Sequence, residues 1–323
     1  MILLLGATSY IGQAFARALR RRKDSFIPLS RNAFDYTRFE FLFDYVRKIR
    51  PDLIINAAEC AEKQNRELSD ADRMEMLRMN TLLPQTIARV CSLTNTPLGH
   101  VSSGNIYSGA KVFDSGAFRI EDDLGLPLAH AMFDSHPEKF NGFSELDDPN
   151  FSFKSTACNF YSGTKALAEE ALRNFAVFIW RLRLPFNEQD DPHNFLSQLQ
   201  DGLKFYDAIN SLSQLDECVG ACLELWERRA PVGIYNIVNP GPLRTRDIVQ
   251  MIHRFLKPTR SFELLVYDAE TTANIERSLR SDCILEVSKL LGLGIRLRTA
   301  KQALEKALQK WERQSASVLQ TSP

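Results

Sequence analysis

A doubly wound α/β fold, in which helices cover both faces of a parallel sheet, is predicted by three observations. The chain opens with the apolar run Met1–Leu5, which lacks polar alternation, as expected of a strand buried on both faces. The glycine-containing turn Gly6–Gly12 follows at once and leads into an alanine-rich amphipathic pattern. Further apolar strand patterns then alternate with helical ones, as in parallel α/β sheets.

The later elements follow the same alternation until residue 185 and return to it at residue 216. Strands are expected at Ser25–Leu29, Leu53–Ala58, Leu98–Val101, Val177–Leu182 and Gly233–Val238, and helices at Arg73–Leu93, Lys165–Leu172 and Asp216–Trp226. A smaller C-terminal lobe is expected from 186–215 together with Thr245–Phe255, Phe262–Val266 and Thr299–Trp311. The predicted main domain therefore spans 1–185 and 216–241 with an insertion at 108–150, and the lobe spans 186–215 and 242–323.

Composition excludes several classes of protein. The 323 residues carry 40 basic and 40 acidic side chains, so the net charge gives no attraction to nucleic acids or membranes. The chain has no run long enough to span a bilayer, and Met1–Leu5 is too short for a signal peptide. Its six cysteines form no C-x-x-C pair, and neither His130 nor His136 shows metal-ligand spacing. A reduced, cytoplasmic protein without a metal is expected.

The first turn is a candidate nucleotide site. A strand, a glycine turn and a helix in succession point backbone N–H groups and a helix N-terminus at a pyrophosphate. The spacing here is G-x-x-S-x-x-G, with Ser9 in the middle position instead of the second glycine of the common G-x-G-x-x-G fingerprint. The turn alone is weak evidence, and the helix that follows it strengthens the interpretation.

Tyr161 and Lys165 lie one turn apart in a helical pattern and therefore share a face. A phenol is a weak acid near neutrality, with a reference pKa of about 10. A fixed ammonium nearby favours the phenolate, which brings proton transfer into a useful range. The pair is a candidate proton donor for catalysis.

Four motifs resemble those of extended short-chain dehydrogenases/reductases in their order and spacing. They are Gly6–Gly12, Asn56-Ala57-Ala58, Ser102-Ser103 and Tyr161 with Lys165. Within that family, the chain is most similar to the branch that contains dTDP-4-dehydrorhamnose reductase and nucleotide-rhamnose synthase epimerase/reductase. The resemblance covers nearly the whole chain and implies a Rossmann-type cofactor domain followed by a substrate-binding lobe.

The resemblance implies that a nicotinamide cofactor contacts residues from both ends of the first domain. The implied cofactor-binding residues are Gly6, Thr8, Ser9, Tyr10, Ile11, Gly12, Ser30, Arg31, Asp35, Asn56, Ala57, Ala58, Asn80, Tyr161 and Lys165. An acid after the second strand suits a free ribose 2′-hydroxyl, whereas an arginine suits a 2′-phosphate. Arg31 therefore favours NADP(H), with NAD(H) as the alternative.

By the same resemblance, the catalytic residues are Ser103, Tyr161 and Lys165, with the Ser103 hydroxyl bonding the substrate carbonyl. Relatives that dehydrate sugars carry an acidic pair after the serine, and relatives that epimerise carry a cysteine. Gly104-Asn105 supplies neither, so simple reduction remains. The implied substrate-binding residues are Ser103, Gly104, Asn105, Asn194 and Arg280, with Arg280 facing a diphosphate.

The 108–150 insertion is expected to be a lid over the sugar. It shows no clean period, and its glycines, prolines and acids predict no separate hydrophobic centre. Phe113, Phe118 and Phe133 are the expected apolar contacts that hold it down.

Together these features predict an NADP(H)-dependent reductase of a nucleotide-linked 4-keto-6-deoxy sugar. A C4 epimerase with tightly held NAD uses the same residues, and a non-catalytic regulatory subunit of the same fold is a third hypothesis. The intact Ser103, Tyr161 and Lys165 set argues against the regulatory subunit. The nucleotide sugar is the expected partner, and a homodimer is the oligomeric state considered.

Overall fold

The computed structural model describes residues 1–61, 68–114, 116–155, 158–202, 204–258, 263–265 and 280–320. The chain divides into two compact units. The first unit comprises Met1–Ile106, Asp148–Arg181 and Val219–Tyr235. The second comprises Tyr107–Asp147, Leu182–Cys218 and Asn236–Pro323, so the insertion groups with the second unit instead of the first.

The strands are β1 Ile2–Leu5, β2 Phe26–Leu29, β3 Leu53–Asn56, β4 Leu98–Ser103, β5 Ala110–Asp114, β6 Ala117–Glu121, β7 Val177–Leu182, β8 Pro185–Phe186, β9 Lys204–Tyr206, β10 Ile209–Gln214, β11 Gly233–Asn236, β12 Asn239–Arg244 and β13 Glu263–Leu265. The helices are α1 Tyr10–Arg22, α2 Phe39–Ile49, α3 Asp70–Leu77, α4 Leu83–Thr94, α5 Pro127–Ser135, α6 Phe160–Leu172, α7 Phe195–Asp201, α8 Leu215–Glu227, α9 Thr245–Leu256, α10 Ser288–Gly292 and α11 Ala300–Gln320.

The first unit is built on a six-stranded sheet in the order β11-β7-β4-β3-β1-β2. Strand β1 pairs in parallel with β2 on one side and with β3 on the other, and β3 pairs in parallel with β4. The chain runs from β1 outwards to β2 on one side and then crosses to β3 and β4 on the other side, so the strand order reverses between β1 and β3. Ligands of open α/β sheets bind beyond the carboxyl ends of the strands at such a switch point. The predicted fold class is confirmed.

Apolar strand residues explain why this sheet is covered on both faces. All four residues of β1 and of β3 are buried, as the unbroken apolar runs predicted. On one face, strand residues pack with α2 and α4 in a core that includes Leu3, Leu5, Ile54, Ile179, Leu42, Val46, Leu83 and Ile87. Between α3 and α4 the helix widens into a π-helical turn, Arg78–Leu82, a feature that is frequent at functional sites.

The second unit has its own sheet and core. Strand β10 pairs antiparallel with β12 and in parallel with β8 in a three-stranded sheet, and β9 and β13 form a separate parallel pair. Helices α7, α9 and α11 bury a core with this sheet that includes Phe186, Leu196, Leu212, Ile248, Ile252, Leu304 and Leu308. The predicted strand at Phe262–Val266 is observed as β13, and its two end residues lie outside the described residues.

The insertion differs from its prediction. It forms the antiparallel hairpin β5–β6 and helix α5, and it contributes Val112, Leu124 and Phe140 to a buried cluster that also contains Ile209 and Ile284. The segment therefore buries apolar side chains, and it does so in a cluster shared with residues outside the insertion. The prediction that Phe113 and Phe118 hold the insertion down was wrong, because their side chains are 45% and 61% exposed. Phe133, the third aromatic residue named for this role, packs against the cluster.

Candidate active site

The glycine turn between β1 and α1 is shaped by contacts that exclude side chains. Gly6 has φ +73°, and a Cβ there would lie 2.4 Å from the Ala58 nitrogen. A Cβ on Gly12 would lie 2.0 Å from the Gly6 carbonyl oxygen. The start of α1 therefore lies directly against the strand ends, with its first backbone N–H groups at the switch point. This cradle fits the pyrophosphate of a dinucleotide.

Ser9 holds that turn together. Its hydroxyl accepts a hydrogen bond from the Gly12 backbone nitrogen (3.0 Å) as the cap of α1, and it donates to the Ala57 carbonyl oxygen (2.8 Å). The Ser9 hydroxyl thus donates one hydrogen bond and accepts another within the protein. These bonds give Ser9 a supporting role in the predicted site. Of its predicted neighbours, Thr8 is exposed, and Tyr10 and Ile11 are buried.

The predicted ribose end of the site lies after β2. The Arg31 guanidinium contacts Glu75 on α3 at 2.5 Å, and 46% of the arginine side chain is exposed. Ser30 is half-buried beside it. Asp35 accepts hydrogen bonds from the Thr37 backbone nitrogen (3.2 Å) and hydroxyl (2.5 Å), and the bond from the Thr37 side chain lowers the pKa of Asp35. A 2′-phosphate at Arg31 has to compete with Glu75.

Asn56 ends β3 and is almost completely buried. Its Oδ1 accepts from the Ala58 backbone nitrogen (3.1 Å), and its Nδ2 lies 3.1 Å from His100 Nδ1 on β4. Burial, and secondarily the charge of Lys165, lowers the pKa of His100 to about 3. The imidazole is therefore neutral. The Asn56 amide holds the backbone at the end of β3, and the next two residues, Ala57 and Ala58, have small buried side chains.

Asn80 connects three segments around the π-helical turn. Its Oδ1 accepts from the Cys60 backbone nitrogen (2.8 Å), and its Nδ2 donates to the Cys60 carbonyl oxygen (3.0 Å) and to Thr164 Oγ1 (3.1 Å). Thr81 next to it donates to the Thr164 carbonyl oxygen at 2.9 Å. The side chain predicted to bind the cofactor is 1% exposed, and its amide holds helix α6 against the segment after β3.

Helix α6 places Tyr161 and Lys165 side by side, as their spacing predicted. Asn159 caps the helix by accepting from the Ser162 backbone nitrogen (2.7 Å), so Tyr161 lies in the first turn. Lys165 Nζ lies 5.6 Å from the centre of the Tyr161 ring. The Lys165 side chain is 1% exposed, and its Nζ donates to the Val101 carbonyl oxygen of β4 at 3.4 Å.

An acid that was missed from the sequence joins this pair. Glu59 Oε2 accepts a hydrogen bond from Tyr161 Oη (3.2 Å) and lies 3.1 Å from Lys165 Nζ. Glu59 directly follows the Asn56-Ala57-Ala58 motif, and that position was the one signal available in the sequence.

Ser103 is the last residue of β4 and is 8% exposed. Its Oγ accepts from the Asn105 backbone nitrogen at 3.2 Å, within a single 3-10 turn over Gly104–Ile106. Because a lone pair of the oxygen takes that bond, the hydroxyl hydrogen can be donated to a carbonyl oxygen. Helix α6 packs against β4 and this turn, which brings the three predicted catalytic residues to one edge of the sheet.

The two remaining predicted substrate residues lie in the second unit. Asn194 is completely buried, caps α7 through the Leu196 nitrogen (3.0 Å) and donates to the Asn187 carbonyl oxygen (2.9 Å). Its amide is thus engaged in local structure. Arg280 is 38% exposed and stacks on Tyr206, with its guanidinium carbon 4.6 Å from the ring centre, and it lies 3.5 Å from Asp282.

No group of three or more histidine, cysteine, aspartate or glutamate side chains in the part of the chain that the structure describes is arranged to hold a metal ion. None of the helices in the described ranges is long and apolar enough to cross a bilayer.

The parallel sheet with a glycine turn at its switch point, and the tyrosine–lysine pair on helix α6, resemble the arrangement in extended short-chain dehydrogenases/reductases. A family model described as the RmlD substrate binding domain matches residues 1–130. The predicted resemblance to the dTDP-4-dehydrorhamnose reductase branch of this class is confirmed.

Two plant proteins are similar to this chain in sequence. A bifunctional dTDP-4-dehydrorhamnose 3,5-epimerase/dTDP-4-dehydrorhamnose reductase of Arabidopsis thaliana is 28% identical over 263 residues, which are 81% of this chain and 77% of that protein. A trifunctional UDP-glucose 4,6-dehydratase/UDP-4-keto-6-deoxy-D-glucose 3,5-epimerase/UDP-4-keto-L-rhamnose-reductase of the same plant is 29% identical over 248 residues. That match covers 76% of this chain and 32% of the plant protein.

Solved structures share the fold over nearly the whole chain. The UDP-rhamnose synthase of Acanthamoeba polyphaga mimivirus superposes with a TM-score of 0.77 at 18% identity, covering 96% of this chain and 98% of that one. The dTDP-4-dehydrorhamnose reductase of Bacillus anthracis, solved in complex with NADP, gives a TM-score of 0.70 at 16% identity over 95% of this chain and 96% of that one.

Proposed function

We propose that the chain is an NAD(P)H-dependent reductase of a nucleotide-linked 4-keto-6-deoxy sugar. The observation that carries this proposal is the convergence of Tyr161 Oη and Lys165 Nζ, which lie 3.2 Å and 3.1 Å from one oxygen of Glu59. A proton donor and a fixed cation are thus held together where a keto group can be reduced. The plant relatives, whose names include reductases of 4-keto rhamnose precursors, support the choice of substrate class.

The residues at the switch point fit a dinucleotide cofactor. The side-chain-free turn at Gly6 and Gly12 would receive the pyrophosphate, and the small Ala57–Ala58 segment would let the cofactor lie against the backbone. Arg31 favours NADP(H) over NAD(H), because a guanidinium matches a 2′-phosphate. When bound, the reduced nicotinamide supplies a hydride to the keto carbon.

The protein's own groups supply the proton. Tyr161 donates its hydroxyl proton to the keto oxygen, and the Ser103 hydroxyl donates a hydrogen bond to the same oxygen. Lys165, buried one turn from Tyr161, favours the phenolate that the transfer leaves behind. Gly104 and Asn105, which follow Ser103, carry no acid or thiol for dehydration or epimerisation. Arg280 remains the candidate contact for the substrate diphosphate.

The experiment is a cofactor-oxidation assay with purified protein and a dTDP- or UDP-linked 4-keto-6-deoxyhexose. We expect one NADPH to be oxidised per sugar reduced. We also expect that denaturing the protein releases no tightly held NAD, as detected by mass spectrometry. Inversion of a 4-hydroxyl without net oxidation, together with released NAD, would instead establish the epimerase. The same preparation tests the expected homodimer by analytical ultracentrifugation, and the enzyme is expected to act in the cytoplasm.

A further inference from the structure

Buried amide side chains hold the backbone in place on both sides of Glu59. On one side, Asn56 Oδ1 accepts from the Ala58 nitrogen at 3.1 Å. On the other, the Asn80 amide makes two hydrogen bonds to the Cys60 backbone, of 2.8 and 3.0 Å. Both amide side chains are 1% exposed. Because the residues before and after it are held by buried groups, the Glu59 carboxylate is presented at a defined place.

At that place the carboxylate contacts both members of the tyrosine–lysine pair through Oε2. The Glu59 side chain is 24% exposed, whereas Lys165 is 1% exposed. His100 of β4 also interacts electrostatically with Lys165, and its imidazole is neutral because burial lowers its pKa to about 3. Glu59 is therefore the member of this group that connects the buried ammonium and the phenol with water.

Reduction creates a need for such a connection. Each turnover removes the Tyr161 proton and leaves a phenolate, which must regain a proton before the next turnover. A substrate whose keto oxygen accepts that proton lies against the phenol and covers its exposed part. Lys165, fully buried, has no direct contact with solvent. Of the three groups, Glu59 keeps both a contact with the phenol and a path to water.

We propose that Glu59 returns the proton to Tyr161 after each reduction, an inference that rests on the reductase function proposed above. In the first transfer the Tyr161 O–H bond breaks and the keto oxygen of the substrate takes the proton. In the second, the Glu59 carboxylate takes a proton from a hydronium ion or a buffer acid, whose bond to that proton breaks. In the third, the new O–H bond of Glu59 breaks and the phenolate oxygen takes the proton, which restores the carboxylate that accepts the Tyr161 hydrogen bond. One solvent proton is consumed for each sugar reduced.

The first test uses variants at position 59. Glu59→Ala is expected to lower kcat by ~10²-fold, the lower end of the range for positioned acid–base groups, without a matching change in KM for the sugar. Added formate or acetate should restore much of the loss, because a small carboxylic acid fits the space left by the side chain. Neither Tyr161→Phe nor the isosteric Glu59→Gln should be rescued. Glu138→Gln, which replaces a largely exposed glutamate, is the matched control. Full activity of Glu59→Ala, or a loss that no carboxylic acid restores, overturns the relay.

The second test needs no turnover and so separates this inference from the reductase function. Protein labelled with 13C at the tyrosine Cζ is titrated by NMR, and the Tyr161 signal is assigned by its absence from Tyr161→Phe. A carboxylate beside a phenol opposes formation of the phenolate. The Tyr161 titration midpoint should therefore move to lower pH in Glu59→Gln and stay unchanged in Glu138→Gln. An unmoved midpoint in Glu59→Gln overturns the contact, whatever the activity of the wild-type protein.

Discussion

Arg181 of β7 and Glu169 of α6 form a buried, two-pronged ion pair. Arg181 Nη2 lies 2.6 Å from Glu169 Oε2, and its Nε lies 3.0 and 3.1 Å from the two carboxylate oxygens. Ser102 of β4 also donates a hydrogen bond to this carboxylate, at 2.6 Å. Glu169 therefore joins helix α6 to two neighbouring strands, and this connection fixes the helix that carries Tyr161 and Lys165.

Breaking this ion pair should destabilise the fold strongly. Glu169→Gln leaves Arg181, which is 1% exposed, as a buried charge without its counterion, and such losses cost about 3–5 kcal/mol. Urea unfolding of purified variants measures the change. The double variant Glu169→Leu/Arg181→Met should recover much of the stability, because it removes both charges together. Glu170→Gln, at an exposed neighbouring position, should leave the unfolding midpoint unchanged.

The proton donor is tested by Tyr161→Phe. We expect turnover of the keto sugar to fall by ~10²–10⁴-fold, the usual contribution of a positioned acid, because the phenyl ring has no proton to give. Cofactor affinity, measured by fluorescence titration with NADPH, should stay nearly constant. Tyr45→Phe removes a hydroxyl from α2 outside the candidate site and serves as the control. Near-normal turnover in Tyr161→Phe would falsify the mechanism.

Cofactor choice should depend on the balance between Arg31 and Glu75. Arg31→Asp is expected to weaken NADPH binding by roughly 1–3 kcal/mol, the scale of a charge-assisted hydrogen bond, and to affect NADH much less. Glu75→Gln should have the opposite effect, because it releases the guanidinium from its contact at 2.5 Å. Dissociation constants from calorimetry decide the matter. Equal losses for both cofactors in Arg31→Asp would show that Arg31 does not bind the phosphate.

The sequence predicted the parts of the fold that local patterns encode. The apolar runs became β1 and β3, the glycine turn became the start of α1, and the four-residue spacing put Tyr161 beside Lys165. Each of these features is set by neighbours within a few residues, so periodicity and turn chemistry suffice to infer it.

Features that depend on distant partners were missed. Glu59 lies 102 residues from Tyr161, and no local pattern reports that they meet. In the insertion, the buried side chains Val112 and Phe140 are scattered singly along the chain, and their partner Ile284 is far away in sequence. Phe113 is apolar but alternates with Val112 in strand β5 and therefore points away from the cluster. Composition alone could not separate these two positions.

The buried cluster that contains Phe140 should contribute to the stability of the fold. Phe140→Ala removes a ring that is 7% exposed from the cluster in the second unit and should cost about 3–5 kcal/mol. Phe118→Ala removes a ring that is 61% exposed and should change stability by less than about 0.5 kcal/mol. Thermal and urea unfolding of the two variants provide the comparison. Equal, small effects would mean that the cluster contributes little to the second unit.

The buried His100 should make stability depend on pH. Its Nδ1 faces the Nδ2 donor of Asn56, whose Oδ1 is already bonded to the Ala58 nitrogen, so a second ring proton would meet a donor. With burial as the main cause, the folded-state pKa is about 3, against an ordinary 6.5. Below pH 6.5 the unfolded chain therefore binds one proton more than the folded protein. The contribution of the neutral His100 to the free energy of unfolding is fully present above pH 6.5. It decreases as the pH falls towards 3, by up to about 1.4 kcal/mol per pH unit. Urea unfolding between pH 7.5 and 5 should show this slope in the wild type and in His193→Gln, which alters an exposed loop histidine. His100→Gln should flatten the slope, because glutamine cannot titrate, and an unchanged slope in that variant would assign the effect to other groups.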